Sequence, residues 1–338
     1  MTIHKRAVSV AALAAIALTA APAFPAERRL IGRIERADPR LDRLVPPGAV
    51  IEVLAEGFRW SEGPAWDRAG ARILFSDVPQ NVVHAWSEKG GLAAFLKPSG
   101  YTGPEGAGGR EPGANGLAFD AKGRLVLCQH GDRRISRLEE GRFVPVVERF
   151  EGKRFNSPND LVIAADGAIY FTDPPYGLTR TFDDPGREIG WNGVYRVAPD
   201  GRVSVLVKDL KAPNGIGLSP DGRTLYVGQS DGDRPVVMAY DLAKDGSVAN
   251  GRVLFDTLPL RKNGPGAPDG LKVDREGNVF TTGPGGVLVL TPKGEYLGTI
   301  VTGVPTANCG FGDDGGTLYI TANDKLCRVR TATKGLGF

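Results

Sequence analysis

The chain has 338 residues, of which 47 are glycine, 25 are proline and 41% are hydrophobic. So many glycines and prolines exclude a mainly helical protein, while the hydrophobic content is sufficient for a core. The 42 basic and 39 acidic residues give a net charge of +3 without forming a basic block or stripe. This charge pattern argues against a nucleic-acid-binding surface.

The N-terminus has the layout of a secretory signal peptide. Two basic residues precede the apolar run 7–21, and small residues follow around Ala23. The run is too short to span a bilayer comfortably, and no later segment is long and apolar enough to do so. We therefore expect residues 1–23 to be a removed export signal, residues 24–49 to be an N-terminal extension, and the protein to be periplasmic or secreted.

Three cysteines, Cys128, Cys309 and Cys327, are an odd number for an exported protein. Their spacing matches no metal-binding motif, so we interpret them as small buried hydrophobic residues. A single disulfide between two of them stays open as an alternative and is not predicted.

Internal repetition is the strongest signal in the sequence. The segment 156–177, NSPNDLVIAADGAIYFTDPPYG, predicts a hairpin, because Asp166 and Gly167 separate two apolar runs of strand length. Similar pairs of runs occur six times, and most are followed by two further strand-like runs. The copies begin at Glu62, Asn115, Asn159, Asn214, Asp269 and Asn308. Four short antiparallel strands in a repeated unit of about 40 to 55 residues are typical of a β-propeller blade.

The two ends of the repeat array predict how the ring closes. The sixth copy has only three strands, the last being KLCRV, and a β-rich run at residues 50–55 precedes the first copy. We therefore predict an all-β, six-bladed propeller over residues 50–332, closed when this N-terminal strand pairs with the last blade. Two packed β-sandwiches are the alternative, but they leave the leading strand and the sixfold register unexplained.

The lengths of the connections distinguish the two faces of the ring. The links between the first and second strands of each blade, such as Asp166-Gly167, are tight turns. The links on the opposite face include four long ones, at 97–113, 151–158, 174–193 and 261–268. Long loops gathered on one side of a rigid scaffold favour a functional site on that face, which also carries the first residue of every repeat.

The first residues of the six copies are all oxygen donors. Because the first strand of each blade lines the central channel, these residues should form a ring at its mouth. Glu62 and Asp269 supply carboxylates and the others supply amides, which is the ligand chemistry of a hard divalent cation such as Ca²⁺. Asn and Asp are also ordinary turn residues, but Glu62 is a poor turn former, and its presence favours the metal site.

Seven short motifs occur in order at the matching repeats. They are EGP from Glu62, PSGY ending at Tyr101, NSPND containing Asn159, TDPPYG containing Asp173 and Tyr176, PNGIGLSPDG containing Asn214, PDG containing Asp269, and NCGFG from Asn308. Together, over about residues 50–330, they resemble the gluconolactonase branch of the SMP-30/gluconolactonase/LRE family. The resemblance implies a six-bladed propeller that hydrolyses lactones with one divalent metal at the channel mouth.

The resemblance also implies roles for individual residues. Glu62, Asn214 and Asp269 match the family's metal ligands, and Asp269 also matches its proton-transfer residue. Asn159 matches an Asn that contacts metal or substrate. Animal members carry an Arg where this chain has Ser157, so sugar-acid contacts made by that Arg do not carry over. Ca²⁺ is the expected metal, with Zn²⁺, Mg²⁺ and Mn²⁺ as alternatives.

Lactone hydrolysis requires a polarised carbonyl, an attacking water and a group that carries protons. A carboxylate bound to a cation is a weak base, so Asp173 is a second catalytic candidate beside Asp269. His130, which ends a second strand at the same mouth, is either a structural or a substrate-contacting residue. Further candidates for substrate contact, which ordinary surface positions on the long loops would also explain, are Tyr101, Tyr176 and Glu188.

The sequence therefore predicts an exported metal-dependent hydrolase that opens a gluconolactone-like sugar lactone to the aldonic acid by attack of metal-activated water. Two alternatives stay open: a non-catalytic propeller that binds protein or carbohydrate, and the same site acting on other esters or phosphotriesters. The two ring carboxylates and an aromatic content of only 8% favour the enzyme over the binding module. The oligomeric state is not predicted.

Overall fold

Each of the six predicted repeats forms one antiparallel sheet, and the sheets follow one another around a ring. The computed structural model describes residues 29–338, so the predicted signal peptide lies outside the described residues. Within residues 29–338, no helix has the length and apolar character needed to cross a membrane. The all-β, six-bladed propeller predicted from the sequence is confirmed.

The strands of the first four blades are consecutive in sequence, and the first strand of each blade contacts the first strands of its neighbours around the channel. The strands of blades 1 and 2 are Ser61–Asp67, Arg72–Asp77, Val82–Ser87 and Gly91–Leu96, then Ala114–Phe119, Leu125–Gln129, Arg134–Glu139 and Arg142–Val147. Those of blades 3 and 4 are Leu161–Ile163, Ile169–Asp173, Gly193–Val197 and Val203–Val207, then Pro213–Leu218, Thr224–Gln229, Val236–Leu242 and Val248–Asp256.

Blades 5 and 6 each include strands from the N-terminal segment. Blade 5 contains Leu271–Val273, Val279–Gly283, Gly286–Leu290, Tyr296–Val301 and, outermost, Arg33–Arg36. Blade 6 contains Thr306–Gly312, Thr317–Ala322, Lys325–Arg330, Ile51–Glu56 and, outermost, Leu30–Ile31. The connections contain the hairpin Arg149–Phe150 with Lys153–Arg154, and the 3-10 helices Pro39–Arg43, Val78–Gln80, Thr181–Asp183 and Leu258–Asn263.

The strand Ile51–Glu56 closes the ring as the sequence predicts, shifted by one residue from the expected 50–55. It pairs antiparallel with Lys325–Arg330, and Val53 lies opposite Cys327. The Nε atom of Arg328 donates a hydrogen bond of 2.8 Å to Glu52 across the same pair of strands. The last blade is thus completed by a strand from the other end of the chain.

The N-terminal extension predicted for residues 24–49 contains structure that its sequence does not reveal. Two short strands, Leu30–Ile31 and Arg33–Arg36, add to the outer edges of blades 6 and 5 respectively. Gly32 lies between them with φ +59, and a Cβ there would be 1.8 Å from the carbonyl oxygen of Val301. Only glycine permits this crossing between blades. The outer edges of blades 6 and 5 therefore include strands that lie before residue 50.

The hairpin of blade 3 has the predicted geometry. Leu161 lies opposite Phe171, and the N–H of Gly167 donates a hydrogen bond of 2.9 Å to the carbonyl of Ala164 in the turn. Apolar residues fill the space between neighbouring blades. Phe171 and Tyr195 of blade 3, whose stacked rings have centroids 5.3 Å apart, belong to one buried cluster with Val126 and Cys128 of blade 2. All three cysteines are buried and unpaired, which confirms the interpretation of these residues as small hydrophobic side chains.

Candidate active site

The ring of repeat-leading residues meets at one end of the central channel. Because the first strands contact each other around the ring, residues at equivalent positions of different blades come together. Five of the six predicted residues line a single cavity of about 510 Å³, a volume suited to a small ligand. These five are Glu62, Asn115, Asn159, Asn214 and Asp269.

Three of the four long loops contribute to the walls of this cavity, as predicted. Loop 97–113 contributes Arg110 and Glu111, loop 174–193 contributes Tyr176, and loop 261–268 contributes Gly266 and Ala267. The remaining wall residues are Arg59, Trp60, Pro79, Ser230, Pro305 and Thr306. Aromatic, cationic and hydroxyl groups therefore stand around a ring of carboxylate and amide groups.

Three oxygen atoms of the ring are buried without a hydrogen-bond partner: Oδ1 of Asn115, Oδ1 of Asn214 and Oδ1 of Asp269. Buried acceptors of this kind are costly unless something binds them. The amide nitrogen of Asn214 is already engaged, since it donates a hydrogen bond of 3.0 Å to Oγ of Ser230. The buried ring atoms without a partner are thus all oxygens, which fits a hard cation.

The candidate metal ligands include amide oxygens as well as carboxylates. Among residues 29–338, no three His, Cys, Asp or Glu side chains are grouped so as to hold a metal. The carboxylates of Glu62 and Asp269, with Asn214, are the set that the motifs imply, and Asn115 and Asn159 line the same cavity. Two carboxylates with neutral oxygen donors are a normal composition for a Ca²⁺ site.

The raised pKa values of the two ring carboxylates also favour a cation site. Burial raises the pKa of Glu62, and the negative charge of Asp160 adds to the effect. Burial also raises the pKa of Asp269 well above its ordinary value, with the charges of Glu62 and Asp160 adding further. Carboxylates crowded in this way favour a bound cation, which offsets their mutual repulsion.

Asn308, the sixth residue of the ring, has a structural role. Its Nδ2 atom lies 3.3 Å from Oε2 of Glu62 and 3.3 Å from Oδ2 of Asp160, and its Oδ1 accepts the N–H of Cys309 at 2.9 Å. Asn308 therefore orients Glu62 and does not itself line the cavity. The sequence did not single out Asp160, although it directly follows the ring residue Asn159.

Asp173, the second catalytic candidate, does not line the cavity. It is fully buried and accepts the N–H of Asn156 at 2.8 Å, and burial raises its pKa to about 7. The preceding residue, Thr172, faces the next blade and donates a hydrogen bond of 2.6 Å to the carbonyl of Asn214. Because side chains alternate along a strand, Asp173 points the other way.

The structure brings Tyr176 to the cavity wall but not Tyr101 or Glu188. The carbonyl of Tyr101 accepts a hydrogen bond of 2.9 Å from Asn81, which holds the loop against blade 1. Glu188 is exposed and accepts the N–H of Arg154 at 2.8 Å. The contacts of Tyr101 and Glu188 are therefore with the scaffold, and these residues have no place in the wall of the cavity.

His130 lies directly behind the cavity wall. It is fully buried, and its Nδ1 atom lies 3.7 Å from Oε2 of Glu111, which does line the cavity. Burial lowers the pKa of His130 to about 3 and raises the pKa of Glu111 to about 7. Glu111 escaped notice in the sequence because it lies in a loop and has no counterpart in the other repeats.

Comparison with known proteins identifies the family of this chain. Residues 60–324 match the family described as the SMP-30/gluconolactonase/LRE-like region. This chain belongs to that family. The gluconolactonase of Zymomonas mobilis subsp. mobilis is 41% identical to it over 340 residues, which cover 97% of this chain and 95% of the relative. The resemblance indicated by the seven motifs is confirmed.

Solved structures of the family have the same fold. A gluconolactonase from Xanthomonas campestris is 33% identical, with a TM-score of 0.78 over 92% of this chain and 99% of its own. A second crystal structure, assigned to the gluconolactonases, is 36% identical, with a TM-score of 0.80 over 90% of this chain and 100% of its own. The fold is thus shared with these relatives along nearly the whole chain.

Proposed function

We propose that this protein is a metal-dependent lactonase that opens a sugar lactone of the gluconolactone type to the corresponding aldonic acid. The observation that carries the proposal is the single cavity that unites Glu62, Asn214 and Asp269, with unpartnered buried oxygens on the last two. These residues stand in the motifs by which the sequence resembles the family. Relatives named gluconolactonase support the choice of substrate class.

Glu62, Asn214 and Asp269 would hold the cation, and Asn115 and Asn159 are placed to complete its coordination or to contact the substrate. We propose Ca²⁺ as the ion, because all of these ligands are hard oxygen donors. When bound, such a cation polarises a carbonyl oxygen and lowers the pKa of a neighbouring water.

The remaining lining residues suit a polyhydroxylated ring. The amides of Asn115 and Asn159 can both donate and accept, as vicinal hydroxyl groups require, and Arg110 supplies donors only. Trp60 offers an apolar face to the C–H groups of such a ring. The Tyr176 hydroxyl is a further polar group at the cavity. These residues would bind and orient the lactone above the two carboxylates.

The experiment that tests this function is a panel of lactones, simple esters and phosphotriesters assayed with the purified protein before and after chelation. We expect hydrolysis of a sugar δ-lactone, its loss on chelation and its return when Ca²⁺ is added. Hydrolysis unaffected by chelation would contradict the metal dependence. Failure to turn over any lactone in the presence of each candidate metal would contradict the lactonase function and favour a binding module.

We also propose that the protein is exported to the periplasm or secreted, on the pattern of residues 1–23. Mass spectrometry of the protein recovered from the cell envelope or the medium tests this directly. The expected mature chain begins shortly after Ala23, and recovery of protein that still begins at Met1 or Thr2 would contradict export with cleavage.

A further inference from the structure

We propose that Glu111 carries the proton during lactone opening and that His130 is the positioning residue behind it. This inference rests on the lactonase function proposed above and names the group that performs its proton transfer. It assigns to Glu111 the proton transfer that the family resemblance implies for Asp269, because Asp269 is one of the proposed metal ligands.

The composition of the cavity selects Glu111. Three carboxylates line the cavity, and Glu62 and Asp269 are the two proposed for the metal. A carboxylate that binds a cation is a weak base, because the cation stabilises its ionised form. Glu111 is the lining carboxylate outside that set, and 18% of its side chain is exposed, toward the space where substrate would bind.

The loop that carries Glu111 is fixed on both sides of it. The N–H of Arg110 donates a hydrogen bond of 3.0 Å to the carbonyl of Gly177, and the N–H of Gly113 donates one of 2.9 Å to the carbonyl of Val78. Backbone hydrogen bonds to two different blades therefore hold this part of the loop. A catalytic group requires such a fixed support, since small displacements of the reacting atoms reduce the rate.

His130 provides the second, independent observation. Its ring is fully buried, both ring nitrogens lack a hydrogen-bond partner, and Nδ1 lies 3.7 Å from Oε2 of Glu111. Gly177 packs over the imidazole so closely that a Cβ there would lie 2.7 Å from Cβ of His130. A neutral imidazole can donate one hydrogen bond and accept another, so it can orient Glu111 in either protonation state.

The proposed step balances as follows. The oxygen of a water molecule bonds to the lactone carbonyl carbon while the Glu111 carboxylate takes one proton of that water. When the bond between this carbon and the ring oxygen breaks, its electron pair stays on the ring oxygen, and Glu111 returns the proton there. The products are a hydroxyl group and a carboxylic acid, which ionises, and Glu111 is a carboxylate again.

Charged groups on several elements surround Glu111 and shape its titration. The positive charge of Arg110, on the same loop, lowers the pKa of Glu111, and His130 approaches from blade 2. The negative charge of Glu111 in turn raises the pKa of Glu62 and of Asp269. A group that must begin as a carboxylate gives a rate that rises with pH through its titration. Removing that group should remove this rise.

The decisive variant is Glu111→Gln, which keeps the size of the side chain but cannot carry a proton. We expect kcat to fall by about 100-fold or more, while KM and the Ca²⁺ affinity measured by calorimetry stay close to wild type. The rise of kcat with pH should also disappear. Glu105→Gln, an exposed substitution in the same loop, is the matched control and should leave all of these quantities unchanged.

His130 is tested by a pair of variants. His130→Phe keeps a buried ring but cannot bond to Glu111, so kcat should fall and its dependence on pH should shift, with Ca²⁺ affinity unchanged. His130→Gln restores a hydrogen-bonding group and should recover part of kcat. A purely structural role for His130 would change the melting temperature of both variants without moving the pH profile, and would overturn its assignment as a positioning residue.

The outcomes separate this inference from the function on which it rests. A wild-type protein inactive on every lactone overturns the lactonase proposal. An active wild type with an equally active Glu111→Gln variant overturns only the role of Glu111, and loss of Ca²⁺ binding in that variant would make Glu111 a ligand. Circular dichroism checks folding, and Glu111→Asp, which keeps the carboxylate, replaces the Gln variant if that one does not fold.

Discussion

The Nζ atom of Lys272 lies 3.7 Å from Oδ2 of Asp160, a carboxylate only 2% exposed, beside the candidate metal ligands. Lys272 also donates a hydrogen bond of 3.4 Å to Asn308, whose amide reaches Glu62 and Asp160. A positive charge of the chain itself thus offsets the negative charge of Asp160 next to the cavity. Through Asn308 it also helps to hold Glu62 in place.

Replacing Lys272 by methionine should destabilise the protein, because Asp160 would remain buried without its cationic partner. We expect the free energy of unfolding to fall by roughly 1–3 kcal/mol, less than for a fully buried pair because the Lys272 side chain is 27% exposed. Urea denaturation measures the change. Lys293→Met, at an exposed turn, is the control, and an equal effect of both substitutions would contradict the role given to Lys272.

Replacing Asn308 by aspartate should make stability depend more strongly on metal. The new carboxylate would stand between Glu62 and Asp160, so the melting temperature without metal should fall, and added Ca²⁺ should raise it by more than in the wild type. Asn278→Asp is the matched control, since Asn278 is buried and donates to Asp274 at 2.9 Å away from the cavity. It should lower the melting temperature without enlarging the shift caused by metal.

The ligand and proton-transfer roles separate when activity is measured against metal concentration. Glu62→Gln and Asp269→Asn each remove one formal charge while keeping size, so both should lower Ca²⁺ affinity and both should regain activity in excess Ca²⁺. Glu111→Gln should regain none. Rescue of Glu62→Gln without rescue of Asp269→Asn would return the proton-transfer role to Asp269.

His130 should make stability depend on pH. Its pKa is lowered from 6.5 to about 3 by burial, so between these values the unfolded chain binds a proton that the folded chain does not. The folded state therefore loses stability relative to the unfolded state as the pH falls below 6.5, by about 1.4 kcal/mol per pH unit down to about pH 3. Above pH 6.5 this effect is absent. Urea unfolding of wild type and His130→Gln at pH 5 and pH 7.5 measures it. The wild type should lose about 2 kcal/mol more than the variant over this range, and equal losses would contradict the prediction.

Truncation from the N-terminus tests the closing strand. A chain that begins at residue 57 lacks Ile51–Glu56 and leaves blade 6 with three strands, so the whole ring should lose stability. A chain that begins at residue 37 loses only the outer-edge strands Leu30–Ile31 and Arg33–Arg36 and should melt closer to the wild type. Thermal melts of the two chains decide, and equal melting temperatures would contradict the special role of the closing strand.

The repeat pattern explains which parts of the site could be predicted from the sequence. Glu62, Asn214 and Asp269 occupy one position of a repeated unit, and a ring necessarily brings such positions together. Glu111 belongs to a loop without a counterpart in other repeats, and Lys272 reaches Asp160 only across the channel. No periodicity in the sequence marks residues of this kind, so only the folded structure reveals them.

Two other differences from the sequence prediction concern the direction of the Asp173 side chain and the short strands at the outer edges of blades 5 and 6. Asp173 ends the predicted strand as expected, but strand alternation turns its carboxylate away from the cavity and toward the backbone of Asn156. The edge strands Leu30–Ile31 and Arg33–Arg36 are two and four residues long, and their sequence, LIGRIER, lacks the alternation by which strands are recognised.

The pairing of Ile51–Glu56 with Lys325–Arg330 has a kinetic consequence for the ring. Glu56 lies opposite Lys325, 269 positions later in the chain, so this contact can form only after the intervening blades have brought the two ends together. Closing so long a loop costs conformational entropy, and this cost is not offset until the intervening blades have formed. We therefore expect this contact to form late in folding. Substitutions in this strand pair should therefore speed unfolding while leaving the folding rate nearly unchanged.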